Sequence, residues 1–281
     1  MKFRFCIVLF LCWIVSSCAT WYQRTAAFQD AVSKGEFEQA EKLLQKDKKQ
    51  ARDKNKILYY LNQGYVEFML GHYEKSNQAF EIAEQLTEDQ QRNLLTEPAV
   101  LISNPEIRPY RPEDFEVIMI NFYKALNYLQ LNNMEDALVE VRKINIRLQQ
   151  LNDKYPDHKN RYQRDAFAQL LMGLIYDAAG DYNNAFIAYR NAYNTYQTDY
   201  LKNFGLAAPE QLKKDLLRTA YQSGLTQELA GYEKEFQQKY TPAPLPANGQ
   251  LVFFWLNGFG PVKAEWGITF TKIDKGDGVI V

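Results

Sequence analysis

Downstream of position 18 the chain has no cysteine at all, since its three cysteines are Cys6, Cys12 and Cys18. That excludes a disulfide framework and a thiolate metal site in the body of the protein. Histidine is nearly as scarce, with only His72 and His158, so imidazole-based metal or triad chemistry has almost nothing to work with. The apolar run at residues 5–15 is 11 long, short of the ~20 needed to cross the hydrocarbon core of a membrane. Excess charge is missing too: 33 basic residues face 34 acidic ones, which gives no electrostatic reason to expect nucleic acid as a partner.

What is present begins at the N-terminus. Lys2 and Arg4 precede the apolar run, and the small residues Ser16 and Ser17 follow it, ahead of Cys18. This is the layout of an export signal with its cleavage site. The order Val15, Ser16, Ser17, Cys18 resembles a bacterial lipobox. The resemblance implies that residues 1–17 are a lipoprotein signal peptide, that the Cys18 thiol receives diacylglycerol, and that the new amino group is acylated as well. Two or three chains, at about 0.8 kcal/mol per buried CH₂, make membrane attachment effectively stable. The remaining 264 residues carry 31 basic and 34 acidic side chains, enough chain to bury a substantial core.

Self-similarity at the period of a helical hairpin dominates that length. In residues 169–192, Gly173, Tyr176, Gly180, Tyr182, Ala185, Tyr189 and Ala192 recur at fixed offsets. Small residues at 173, 185 and 192 let two helices approach, large ones fill the groove between them, and Gly180 ends the first helix. The pattern resembles a tetratricopeptide repeat. Gly64, Gly71, Tyr73, Phe80 and Ala83 form a second copy, with Ser76 where Ala is usual. Ala125, Tyr128, Asn132, Met134, Ala137, Val141 and Ile144 form a third, a weaker copy uses Gly35, Phe37, Ala40 and Leu44, and a degenerate one surrounds Gly224. The expected fold is mostly α, a tetratricopeptide-like helical-hairpin array over 18–240.

Pro98, Pro105, Pro109 and Pro112 predict a long loop between the second and third copies, with Pro112 as the first residue of the next helix and Glu113 and Asp114 at its positive end. A second polar, locally basic loop is predicted at 151–165. Three prolines in 241–249 make a stiff linker. Beyond it, 250–281 is rich in β-branched and aromatic residues with glycine turns at 257–261 and 274–278. Strands are expected at about 250–256 and 264–272, with a third starting at 279, giving a short C-terminal β-hairpin segment.

No motif sets a nucleophile beside a base. Glu113 with Asp114, and Glu135 with Asp136, stand at helix starts, where carboxylates favour the dipole. Gly258, Gly260 and Lys263 lack the spacing of a phosphate loop. In 137–145, Glu140, Arg142 and Lys143 accompany apolar positions, and Glu116 is expected to face Arg142 or Arg147 as a structural ion pair. Neither an enzyme, a cofactor nor a metal is indicated.

Residues 108–129, 137–145, 164–193 and 249–266 together resemble a family of uncharacterised bacterial lipoproteins with irregular tetratricopeptide-like hairpins and a proline-rich link into a β-rich segment. Members of that family continue past the equivalent of Val281, so the resemblance implies an incomplete β-rich module. It supplies no catalytic residues. Ala19 follows the lipidated cysteine, with no Asp and no acidic run, which points to the outer membrane, facing the periplasm. The function expected is a scaffold for an envelope protein or peptide, with Arg108, Tyr110, Arg111 and Glu116 as candidate contacts of the proline-rich loop. The alternative is a receptor for a glycan or other small ligand, stacking on Tyr110, Trp255 and Trp266.

Overall fold

A computed structural model describes residues 21–96, 109–154, 164–242, 251–253, 273–274 and 279–280. The chain divides into two units, Met1–Ala243 and Pro244–Val281. In the first unit the helices are α1 (Trp21–Ser33), α2 (Phe37–Lys46), α3 (Lys56–Met69), α4 (Tyr73–Thr96), α5 (Asp114–Gln130), α6 (Met134–Lys154), α7 (Ala166–Ala178), α8 (Tyr182–Thr195), α9 (Leu201–Phe204), α10 (Glu210–Gln222) and α11 (Thr226–Phe236). A 3₁₀ turn, Lys48–Arg52, joins α2 to α3, and a π turn, Tyr196–Tyr200, joins α8 to α9.

One turn geometry builds every hairpin. Gly35, Gly71, Gly180 and Gly224 have φ between 69° and 78°, the left-handed region open to glycine. Each donates its N–H three residues back, and the next residue donates five back, as in His72 N to Glu67 O at 2.9 Å and Asp181 N to Tyr176 O at 2.9 Å. This double closure satisfies the last carbonyls of the first helix and reverses the chain. Asn132 takes the same role at φ 56°, with Asn133 N bonded to Tyr128 O at 2.8 Å. Asparagine is the usual substitute for glycine in this conformation.

Helices within a hairpin meet over matched pairs of side chains. A Cβ placed on Gly64 would lie 2.7 Å from the Phe80 ring, and one on Gly173 would lie closer still to Tyr189. At the same offset in the third hairpin, Ala125 and Val141 are both fully buried. Ala40, Ala137 and Ala185 are fully buried five residues after their turns. At that position in the second hairpin, the Ser76 hydroxyl donates to Gly64 O at 2.8 Å and accepts from Asn127 Nδ2 at 2.8 Å. The hydroxyl thus ties one hairpin to the next with both its donor and an acceptor site used, while Asn127 Oδ1 on the other side of the junction is buried without a hydrogen-bond partner. Further along, Leu212, Leu216 and Ala220 of α10 join Phe186, Tyr189 and Tyr193 of α8 in one apolar core, with Tyr232 and Phe236 of α11 packed against it.

Three boundaries differ from the sequence reading. Pro112 precedes α5 rather than opening it, because Glu113 adopts extended backbone as the N-cap and its N–H donates to Glu116 Oε2 at 2.7 Å. Helix α6 runs on to Lys154, into the loop expected at 151–165, where Leu151 is buried; residues 155–163 lie outside the described residues. Residues 251–253, expected in a strand, form none and are exposed, and the strand expected at 264–272 lies outside the described residues. In the second unit β1 (Ile273–Asp274) pairs antiparallel with β2 (Val279–Ile280), Ile273 opposite Ile280.

Candidate functional site

The proline-rich loop ends in a strut. Tyr110 donates its backbone N–H to Lys54 O at 2.9 Å and accepts at its carbonyl from Gln90 Nε2 at 3.0 Å. Its hydroxyl lies 2.6 and 2.8 Å from the two oxygens of Glu116. Burial, together with the Glu116 charge, pushes the phenol well above its ordinary pKa, so it stays a donor. Tyr110 and Glu116 are therefore brought together, while Arg111 is exposed; Arg108, Trp255 and Trp266 lie outside the described residues, as do Cys18 and its flanks.

Glu116 does not face Arg142 or Arg147. Its place in the first turn of α5 lets it close back on the Glu113 N–H, whereas Arg142 is exposed and Arg147 turns to α4. There it enters a cluster that three helices build. From α5, Lys124 places its ammonium 2.6 Å from Glu81, 2.9 Å from Glu84 and 3.1 Å from Glu140. Asn121, one turn earlier, donates to Glu84 at 3.0 Å and to Glu140 at 2.8 Å. From α6, Lys143 lies 3.3 Å from both of those carboxylates, and Arg147 pairs with Glu84 and Glu88.

Lys124 is only 2 % exposed, and a buried ammonium holds its charge only when carboxylates surround it. Burial lowers its pKa, but hydrogen bonds to Glu81 and Glu84 and the charges of Glu140 and Glu84 outweigh this and raise it. Burial likewise works against ionised Glu84, yet the Asn121 hydrogen bond and the Lys124 and Lys143 charges win and bring it to about 2. Every carboxylate here is engaged by at least one cation. The cluster offers no free base.

Between α4 and α6 these side chains leave a groove of about 380 Å³. Glu81, Glu84, Gln85 and Glu88 line one wall, and Lys143, Ile146, Arg147 and Gln150 the other. The sequence reading missed this site because it weighed Glu140 and Lys143 without Lys124. The signal was there: Asn121, Lys124 and Asn127 recur every three residues in 117–129, a stretch otherwise made of aliphatic and aromatic residues, and a polar stripe on a buried face needs partners. A smaller analogue ties α7 to α10, where Arg218 pairs with Asp177 and, at 3.0 Å, with Asp215, and Tyr189 donates to Asp177 at 3.1 Å.

Among the described residues, no group of three or more His, Cys, Asp or Glu is placed to hold a metal ion, and no helix is long and apolar enough to cross a membrane. Hairpins, turns and matched pairs define a tetratricopeptide-like helical-repeat protein. No protein-family model matches the chain, and no curated protein matches it either. Among solved structures it is similar to BtubC (BKLC) from P. vanneervenii, with a TM-score of 0.50 at 17 % identity, over 82 % of this chain and 86 % of that one. MamA protein aligns with a TM-score of 0.44 at 13 % identity, over 79 % of this chain and 96 % of that one. At such identities the likeness to BtubC is one of fold alone.

Proposed function

We propose that this chain is a non-catalytic scaffold of the bacterial envelope, held by lipid on Cys18 at the outer membrane, facing the periplasm, and binding another envelope protein or peptide. The observation that carries the binding role is the hairpin array itself. Its interhelical space is filled by its own aromatic side chains, such as Phe80, Tyr189 and Tyr193, so what the array offers is outer surface, which helical-repeat proteins use to bind other chains. The paired state of the charged cluster supports a non-catalytic reading, because no buried carboxylate there is left to move a proton. Lipid attachment rests on Val15–Cys18 after the apolar run.

Two experiments test this. Metabolic labelling with an alkyne fatty acid should tag the chain and fail with Cys18→Ser, which should also leave the membrane fraction; retained label on the Ser variant refutes the anchor. Reciprocal affinity capture from detergent-solubilised envelopes should return one protein partner in both directions. Enrichment of a glycan instead of a protein overturns the scaffold reading.

A further inference from the structure

We propose that the groove between α4 and α6 is the docking site of this scaffold, and that its occupant is a helical segment of a partner protein bearing basic side chains two turns apart. The inference rests on the scaffold reading and adds the partner's chemistry to it. The cluster holds four carboxylates, Glu81, Glu84, Glu88 and Glu140, against three cations, Lys124, Lys143 and Arg147. Burial splits the cluster into a buried part, where Glu84 and Glu140 at 7 % and 4 % exposure offset Lys124 and Arg147, and an outer part, where Glu81 and Glu88 are offset only by Lys143, at 36 %. Lys124 and Arg147 are 2 % and 14 % exposed, whereas Glu81 and Glu88 are 47 % and 44 % exposed. A nearly balanced cluster therefore presents an acidic mouth, because charge close to solvent dominates the field a partner meets.

Glu81 and Glu88 are seven residues apart on one helix, on the same face and about 10.5 Å apart along the axis. A partner helix with basic residues at i and i+7 reproduces both the distance and the shared face. An extended strand reaches about 10 Å between i and i+3, but those side chains point to opposite sides. Helix is thus the conformation the spacing selects. Across the groove Ile146 is half exposed, giving the apolar edge of such a helix a seat, and Gln85 and Gln150 stand at the mouth with amides. Because the complementary charges sit at a rim, they set partner choice and salt dependence more than raw affinity.

The test uses the full-length chain in neutral detergent and fluorescein-labelled helical peptides carrying two lysines. With lysines at i and i+7 the peptide should bind; with lysines at i and i+9, on opposite faces, or with glutamates at i and i+7, binding should be at least tenfold weaker. Gln85→Lys with Gln150→Lys replaces two amides that hydrogen-bond Glu81 and Arg147 with cations at the mouth, and should weaken the i, i+7 peptide at least tenfold while circular dichroism shows the helices intact. If that variant does not fold, Glu88→Gln should weaken binding about threefold. Equal binding of the two lysine peptides, indifference to these substitutions, or no binding at all overturns the groove assignment. Failure of the two ideas is distinguishable: an envelope partner still captured by the double variant leaves the scaffold and removes the groove, whereas no partner for the wild-type chain removes the scaffold.

Discussion

Replacing Lys124 by Met tests whether the polar seam between hairpins depends on its central charge. The substitution keeps an unbranched side chain of similar length, so the cavity cost is small and the loss is that of the ammonium. Glu84 and Glu140, each under a tenth exposed, then face one another with Asn121, Lys143 and Arg147 alone. Removing one partner from a buried ion cluster costs about 3–5 kcal/mol. The same reasoning makes Glu81→Gln mild, at about 0–1 kcal/mol, because that carboxylate is half exposed and solvent replaces it. Urea unfolding followed by circular dichroism measures both, and the contrast between them is the test. The pH dependence adds an independent arm. Glu84 is lowered from 4.5 to about 2, so its contribution is present above pH 4.5 and is lost as the pH falls through that window, to a total of about 3 kcal/mol. In Lys124→Met that acid loss should shrink. A penalty below about 1 kcal/mol for Lys124→Met, or an unchanged acid limb, refutes the account.

Other outcomes follow from single contacts. Gly173→Leu should cost about 1–3 kcal/mol or more by driving a side chain into Tyr189, and an unchanged melting temperature would contradict the close approach. Asn132→Val should lose about 1–2 kcal/mol at its left-handed backbone, while Asn132→Gly should leave stability nearly unchanged; equal melting of the two variants would argue against the turn geometry. Tyr110→Phe removes the hydroxyl from Glu116 and should cost about 1–2 kcal/mol, measured by thermal unfolding, with partner capture intact if Tyr110 is a strut and lost if it is a contact.

The helical hairpins were legible because their signals are local. Glycine or asparagine at each turn and, in the first four hairpins, a small residue five positions later report backbone conformation and close packing, and both needs are met within one hairpin. The charged groove was less legible because its members come from three helices, with Glu84 and Lys124 forty residues apart, and no periodicity announces which carboxylate a lysine will find. Glu116 shows the same limit in reverse: a capping role inside its own first turn took precedence over the long-range pair its sign suggested. Helix α6 outran its expected end because Leu151 still had apolar surface to cover, which polar composition around it concealed.

The matched pairs have a consequence for how such a chain changes over generations. Gly64 with Phe80, Ala125 with Val141, and Gly173 with Tyr189 share one space in different proportions, the smaller member yielding what the larger one fills. A mutation enlarging Gly64 alone meets the Phe80 ring, and one shrinking Phe80 alone opens a void. Drift at these positions is therefore confined to coordinated steps, and each hairpin carries its own private solution. Chimeras that splice the first helix of one hairpin to the second helix of another should misfit at this one layer, even where every turn residue agrees.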